Sequence, residues 1–216
     1  MEFFVGEFAS RHGHEDISIG VDHIYADSAR DLIAYFEDEI TNGKSFRDNE
    51  TVQVGWTLLL LKGNGSNLEV MEPDFSSMPI QWVKGANNTF RHMMLQREIC
   101  AQVGTDVAFP SIRQAGIVSP SFLERHGEFE MSRDVATGND SGWVFRDLNY
   151  KGSEGAYCSL YQIASIVPAI IPLIALPSGA IVRRSDSDLD ITVANSNASS
   201  RTSDFLSRLI QSPYFS

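Results

Sequence analysis

The stretch GNDSGWVFRDL, residues 138–148, decides how the C-terminal half of the chain folds. Four turn-forming residues lead directly into a strand that opens with Trp143. The Asp140 carboxylate can accept a hydrogen bond from the backbone two residues ahead, and Gly142 can adopt a positive φ that other residues avoid. This turn therefore predicts a fixed strand register, with Trp143 buried as the anchor of a sheet. A rim that contacts a partner protein is the alternative, because Trp and Arg are common hot-spot residues.

A second Gly-Trp junction lies in QVGWTLLLLKGNGSN, residues 53–67. The apolar run predicts one central strand over residues 51–62, since it is apolar on both faces. Asn-Gly in the following GNGSN is a strong signal for a two-residue hairpin turn, and LEVMEP then returns as the next strand. The sequence therefore predicts a hairpin in the N-terminal half.

Helical periodicity surrounds this hairpin on both sides. Residues 27–43 predict a helix with Ser28 as its N-cap and Gly43 at its end. A second helix is predicted over residues 88–104, with an inward stripe of Phe90, Met93, Met94, Ile99 and Val103. Residues 2–8 and 17–25 alternate as strands do. The N-terminal half is thus expected to form one α+β unit.

The C-terminal half repeats this mixture of short strands and helices. Strands are predicted over 114–118, 128–135, 143–149 and 178–184, with a helix beginning at Ser119-Pro120. The apolar stretch over residues 159–176 is interrupted by prolines, so a short helix and a second turn are expected there. We therefore predict an α+β fold of two small mixed units, each a largely antiparallel sheet with helices packed on one side. The expected boundaries are residues 1–110, 111–185, and a polar tail with a marginal terminal helix over 186–216.

The net charge limits the classes of partner. With 28 acidic and 17 basic residues the chain carries −11, which disfavours nucleic acid and anionic lipid. An acidic surface suits a basic protein partner, although solubility alone also accounts for it. The N-terminus lacks the features of a signal peptide, and the apolar stretch is too interrupted to cross a membrane. A cytoplasmic protein with two buried free thiols, Cys100 and Cys158, is expected.

The sequence contains no strong catalytic or metal motif. His12, His14 and His23 stand near three acidic residues, but their spacing matches no ligand pattern, so a solvated loop is the expected reading. Glu72 and Asp74 follow a strand and predict a polar turn rim. We therefore predict no catalytic residue, no metal and no cofactor.

The segments GIVSPSFLE, FEMSRD, NDSGWVF and YQIASIVPAIIPLIALPSGAIVRR together resemble the immunity protein 33 family over residues 113–184. Asp140 to Trp143 match the turn of the family, and Ile170 to Pro172 match its helix. Pro177 and Gly179 match the Pro-x-Gly motif that precedes the family's terminal strand. The chain departs from the family pattern in two places. The acidic stretch after the tryptophan strand is shorter, and Val167 replaces the aspartate that often precedes the helical proline.

The resemblance implies a non-catalytic immunity protein of a bacterial polymorphic-toxin system, which binds and neutralises a cognate toxin that is expected to be basic. Candidate binding residues on that reading are Asp140, Ser141, Trp143, Arg146, Glu37, Asp38 and Glu39. The alternative is a small-molecule-binding or enzymatic domain with a site between the two halves, built on His92 or on the loop from His12 to His23.

Overall fold

The computed structural model describes residues 1–124, 128–152, 154–185, 188–194, 200–201, 205, 208–209, 211 and 214. It contains two mixed sheets and divides into two compact units, Met1–Arg91 and His92–Ser216. The predicted α+β class with two sheet units is therefore confirmed. The division falls inside a helix, upstream of the junction that the sequence suggested, and the proposed domain boundaries stay a prediction.

The first unit is built on a six-stranded sheet in the order β1-β2-β5-β4-β3, with β6 also paired to β5. The strands are β1 (Glu2–Gly6), β2 (Asp16–Val21), β3 (Thr51–Val54), β4 (Thr57–Asn64), β5 (Asn67–Asp74) and β6 (Gln81–Lys84). The helices are α1 (Ala9–His12), α2 (Ala26–Thr41) and the start of α3 (Asn87–Gln102), with a 3-10 turn at His23–Tyr25. Only β2 and β5 pair in parallel, so this sheet is largely antiparallel.

The second unit carries a seven-stranded sheet in the order β10-β7-β9-β8-β11-β12-β13. Its strands are β7 (Ala115–Val118), β8 (Phe129–Arg133), β9 (Asp140–Asp147), β10 (Ala156–Ser159), β11 (Ala180–Arg184), β12 (Leu189–Val193) and β13 (Ser200–Arg201). The short helix α4 (Leu160–Ile166) precedes a 3-10 turn at Pro168–Ile170, as the proline-broken pattern predicted. Here β7 and β9 are the parallel pair.

Two local predictions in the first unit are wrong. The expected strand over 51–62 is interrupted, because Val54 pairs with Thr57 and the Gly55-Trp56 step is itself a hairpin turn, with Gly55 at φ 60°. Helix α2 begins at Ala26 without a side-chain cap, since the preceding 3-10 turn already leads the chain into it, so Ser28 lies inside the helix.

In α3, Met94 is 52% exposed whereas His92 and Gln96 are buried. The predicted stripe is correct at Phe90, Ile99 and Val103. Packing inside the fold, which local periodicity does not encode, decides the rest of this helix.

Two further corrections concern the second unit. Ser119-Pro120 opens a series of turns rather than a helix. Residues 189–193, predicted as part of a polar tail, form β12, because Leu189, Ile191 and Val193 alternate inward along it and β11 supplies its hydrogen bonds. The predicted terminal helix over 204–215 lies largely outside the described residues.

Candidate functional site

The stretch around Trp143 forms β9, whose side chains alternate between the two faces of the second sheet. Ser141, Trp143, Phe145 and Asp147 are buried, whereas Val144 is half-buried and Arg146 is exposed. The register with β7 shifts between Asp140 and Val144, but the Asp140 carboxylate reaches the hydroxyl of exposed Tyr157 and so lies outside the core, as Arg146 does. The candidate binding residues of β9 therefore divide into an inner and an outer set.

The turn before β9 has the chemistry that its residues predicted. Thr137 and Asp140 exchange two backbone hydrogen bonds of 3.0 Å each, and Oδ1 of Asp140 accepts one from the backbone N–H of Gly142 at 2.8 Å. Gly142 has a φ of 76°, and a Cβ added there would lie 2.2 Å from the carbonyl oxygen of Asp134. Glycine is therefore required at this position both by conformation and by space.

Trp143 is fully buried, as predicted, and anchors the inner face. Its indole Nε1–H donates to the carbonyl of Ile174 at 3.0 Å, and its ring stacks on Phe145 with 6.0 Å between centroids. The hydroxyl of Ser141 donates to the carbonyl of Ala115 at 2.7 Å. Because both side chains are enclosed, they hold the turn and the strand in place and present nothing to solvent.

Arg133 is the main buried polar residue that our sequence reasoning missed. Its Nη1 donates to the carbonyls of Ala108 and Leu176, both at 2.5 Å, and its guanidinium carbon lies 5.5 Å from the centroid of the Trp143 ring. Burial lowers the pKa of Arg133 to about 10, so the side chain stays charged at neutral pH. The alternation of Phe129 and Met131 placed this residue on the inner face and was the signal that could have found it.

The opposite face of the second sheet carries a continuous row of side chains across six strands. Strand pairing sets Tyr157 beside Ile117, Ile117 beside Val144, Val144 beside Ser132, Ser132 beside Ile181, and Ile181 beside Thr192. Tyr157 is 67% exposed and Ile181 39% exposed. We call this row and its flanks the outer face. It is a mainly apolar strip that solvent reaches.

The two flanks of the outer face differ in charge. On one side, pairing aligns Arg146, Glu130, Arg183 and Asp190 in alternating sign, and Arg183 Nε donates to Glu130 at 2.7 Å. On the other side lies Asp140, whose Oδ2 accepts from the hydroxyl of Tyr157 at 3.3 Å. The outer face therefore has an apolar centre and a charged rim, an arrangement that protein–protein interfaces share.

The acidic residues predicted on the first helix lie in the other unit, on α2. Glu37 forms an ion pair with Arg11 and lies 3.8 Å from His12, while Glu39 accepts from Lys44 at 2.8 Å. Asp38 is exposed. Two of the three carboxylates are thus engaged within their own unit, and Asp38 is the most available of them to a partner.

The histidines of the N-terminal half do not assemble into a metal site. Nε2 of His14 accepts from the backbone N–H of Phe46 at 2.8 Å, and its Nδ1 donates to the carbonyl of Glu15 at 2.6 Å, so both ring nitrogens are occupied. His23 lies 3.0 Å from Glu2. Across the described part of the chain, no three or more His, Cys, Asp or Glu side chains are grouped so that they could hold a metal ion.

Glu72 has a structural position that differs from the predicted turn rim. It is 3% exposed, and its two oxygens accept from the backbone N–H groups of Asn88 at 3.0 Å and Thr89 at 2.7 Å. These are the N–H groups that the first turn of a helix leaves unpaired. Burial raises the pKa of Glu72. The residue therefore caps α3.

The part of the chain that includes the outer face matches a known protein family. Residues 95–193 match the family model of the Imm33-like domain, which confirms the predicted resemblance for the C-terminal part of the chain. No curated protein and no solved structure matches. Among the described residues, no helix has the length and apolar character required to cross a membrane.

Proposed function

We propose that this protein is a bacterial immunity protein that binds and neutralises a cognate toxin protein without performing chemistry on it. The observation that carries the proposal is the Imm33-like match, which spans β7 to β12 and so includes every strand of the outer-face row. The name of this family indicates immunity, and immunity of this kind requires a toxin partner.

We further propose that the toxin docks on the outer face. Tyr157 and Ile181 are large apolar side chains that solvent reaches, and together they stand near the two ends of the row. Arg146 and Asp140 edge the strip, and Ser141 and Trp143 support it from within. On the other unit, Asp38 adds exposed acidic charge, which favours encounter with a basic partner, whereas Glu37 and Glu39 are already paired with Arg11 and Lys44.

Co-expression tests the proposal directly. The protein is expressed in cells that also produce the polypeptide encoded by the adjacent gene, and growth and co-purification are measured together. We expect the neighbouring product to arrest growth when expressed alone, and growth to be restored with formation of a stable complex. A harmless neighbouring product, or rescue without a complex, contradicts the proposal and favours a ligand-binding domain.

A matched pair of variants locates the surface. Ile181→Glu puts a charge into the apolar strip, so we expect loss of rescue and at least a tenfold weaker complex, because one buried unpaired charge costs several kcal/mol. Ile24→Glu is the control, since Ile24 is 74% exposed and lies outside the region that matches the family. Equal rescue by both variants, with both folded by circular dichroism, would show that the toxin binds elsewhere.

A further inference from the structure

The first sheet ends in an unprotected edge. Strand β1 pairs with β2 on one side, and no described strand lies on its other side. Its register with β2 runs from Glu2 to Gly6 without a bulge, and its sequence EFFVG contains no proline. The free N–H and C=O groups of an edge strand can pair with another chain. Stable monomers therefore usually protect their edge strands with a bulge, a proline or charged side chains. Here three successive apolar residues, Phe3, Phe4 and Val5, occupy the centre of the edge.

Two of the apolar side chains on this edge are exposed. Phe3 is 60% exposed and Val5 52% exposed, and their side chains share one face because they are two residues apart. Phe4 points to the opposite face, where the guanidinium of Arg30 lies 5.2 Å from its ring centroid. An added strand would therefore find apolar neighbours on both faces.

Helix α2 packs against β1 and adds a second part to this surface. Arg30, Ile33, Ala34 and Glu37 are spaced as i, i+3, i+4 and i+7, so they form one stripe along the helix. These four residues, with Phe4 and Val5, line a groove of about 270 Å³. The stripe has a base at one end, an acid at the other, and a small residue at its centre.

We infer that this surface binds a second copy of the chain, through antiparallel pairing of β1 with β1 and of α2 with α2 about one two-fold axis. A two-fold axis at Phe4 sets Phe3 opposite Val5 of the second copy, and Val5 opposite Phe3, while each Glu2 faces a Gly6. Aromatic residues paired with β-branched residues are favourable across strands, and no two acids oppose each other. Parallel pairing would instead set Glu2 against Glu2.

The same axis makes the helices complementary in charge. An antiparallel pair of α2 helices centred between Ile33 and Ala34 brings Arg30 of each copy to Glu37 of the other. Ala34 at the centre allows the close approach that helix packing at 8–10 Å between axes requires. Within each copy Arg30 pairs with Asp27 and Glu37 with Arg11, so each end of the contact would become a network of four charges. A surface that complements itself in this way defines a closed, two-fold dimer.

Mass measurement tests the inference on the full-length protein alone, and it does not depend on any toxin. By light scattering after size-exclusion chromatography, we expect twice the chain mass of 24.0 kDa. Ala34→Glu sets two like charges at the axis and should give a monomer. Ala101→Glu is the matched control, because Ala101 is also an exposed helical alanine, and it should stay a dimer.

A charge exchange makes the test specific for the proposed pairing. Arg30→Glu presents two acids at both ends of the stripe, and Glu37→Arg presents two bases, so each variant alone should be monomeric. An equimolar mixture should recover the dimer, since acids then face bases at both ends. A monomeric wild-type protein overturns the inference. A dimer that survives Ala34→Glu, or a mixture that stays monomeric, also overturns it. Either result would favour pairing of the β1 edge with a strand of a different protein.

Discussion

Trp143 stabilises the inner face of the second sheet through packing, ring stacking and a hydrogen bond. It fills the core beneath β9, stacks on Phe145 and satisfies the carbonyl of Ile174. We expect Trp143→Ala to lower the free energy of unfolding by about 3–5 kcal/mol, the usual cost of removing a large core aromatic. Urea denaturation measures this loss, and a change below about 1 kcal/mol would show that Trp143 does not anchor the sheet.

Arg133 provides a second prediction for a single residue. It donates to carbonyls at Ala108 and Leu176 and so connects β8 to two irregular segments. Arg133→Met keeps the length of the side chain but leaves these carbonyls unpaired, so we expect a loss of about 2–4 kcal/mol in urea denaturation. Arg146→Met, on the exposed outer face, should change stability by no more than about 0.5 kcal/mol. Equal losses in both variants would contradict the assigned role of Arg133.

At the scale of the element, Glu72 couples the start of α3 to pH. Burial raises the pKa of this carboxyl in the folded state, so folding favours its protonated form. Its contribution to stability is fully present below the unfolded pKa, about 4.3, and is lost as the pH rises through the higher folded value. We therefore expect wild-type protein to lose stability relative to Glu72→Gln as pH rises above about 4. Melting temperatures of both proteins between pH 4 and 7 measure the difference, and a constant gap would contradict the shift.

At the scale of the molecule, the net charge of −11 should govern the rate of encounter with the basic toxin that we propose as the partner. Screening shortens the Debye length from about 30 Å at 0.01 M to about 10 Å at 0.1 M. Stopped-flow association should therefore slow as salt is added, while the dissociation rate changes much less. An association rate that does not respond to salt would show that the toxin docks without electrostatic steering.

Local chemistry was sufficient for the turn before β9 and for the core residues nearest to it. Asp140, Gly142 and Trp143 have the roles in the turn and the core that their residue types predicted, because each depends on a local hydrogen bond, on backbone conformation or on burial of one large ring. The hairpin between β4 and β5 was predictable too, although its turn residues are Gly65 and Ser66, one position after the Asn64-Gly65 step that the sequence suggested. The proline-broken helix was also predictable from local chemistry. The Imm33-like character was also visible in sequence, since four short segments between residues 113 and 184 together resemble that family.

The tertiary structure alone decided what depends on partners distant in sequence. Pairing with β11 makes a strand of residues 189–193, and the parallel contact of β7 with β9 aligns Tyr157, Ile117 and Val144 on one face. Arg133 is buried because carbonyls from two remote segments surround it. Sequence periodicity specifies which face of a strand is apolar, but the order of strands in the sheet determines which residues become neighbours across it. The outer face and the β1 edge are therefore properties of the fold.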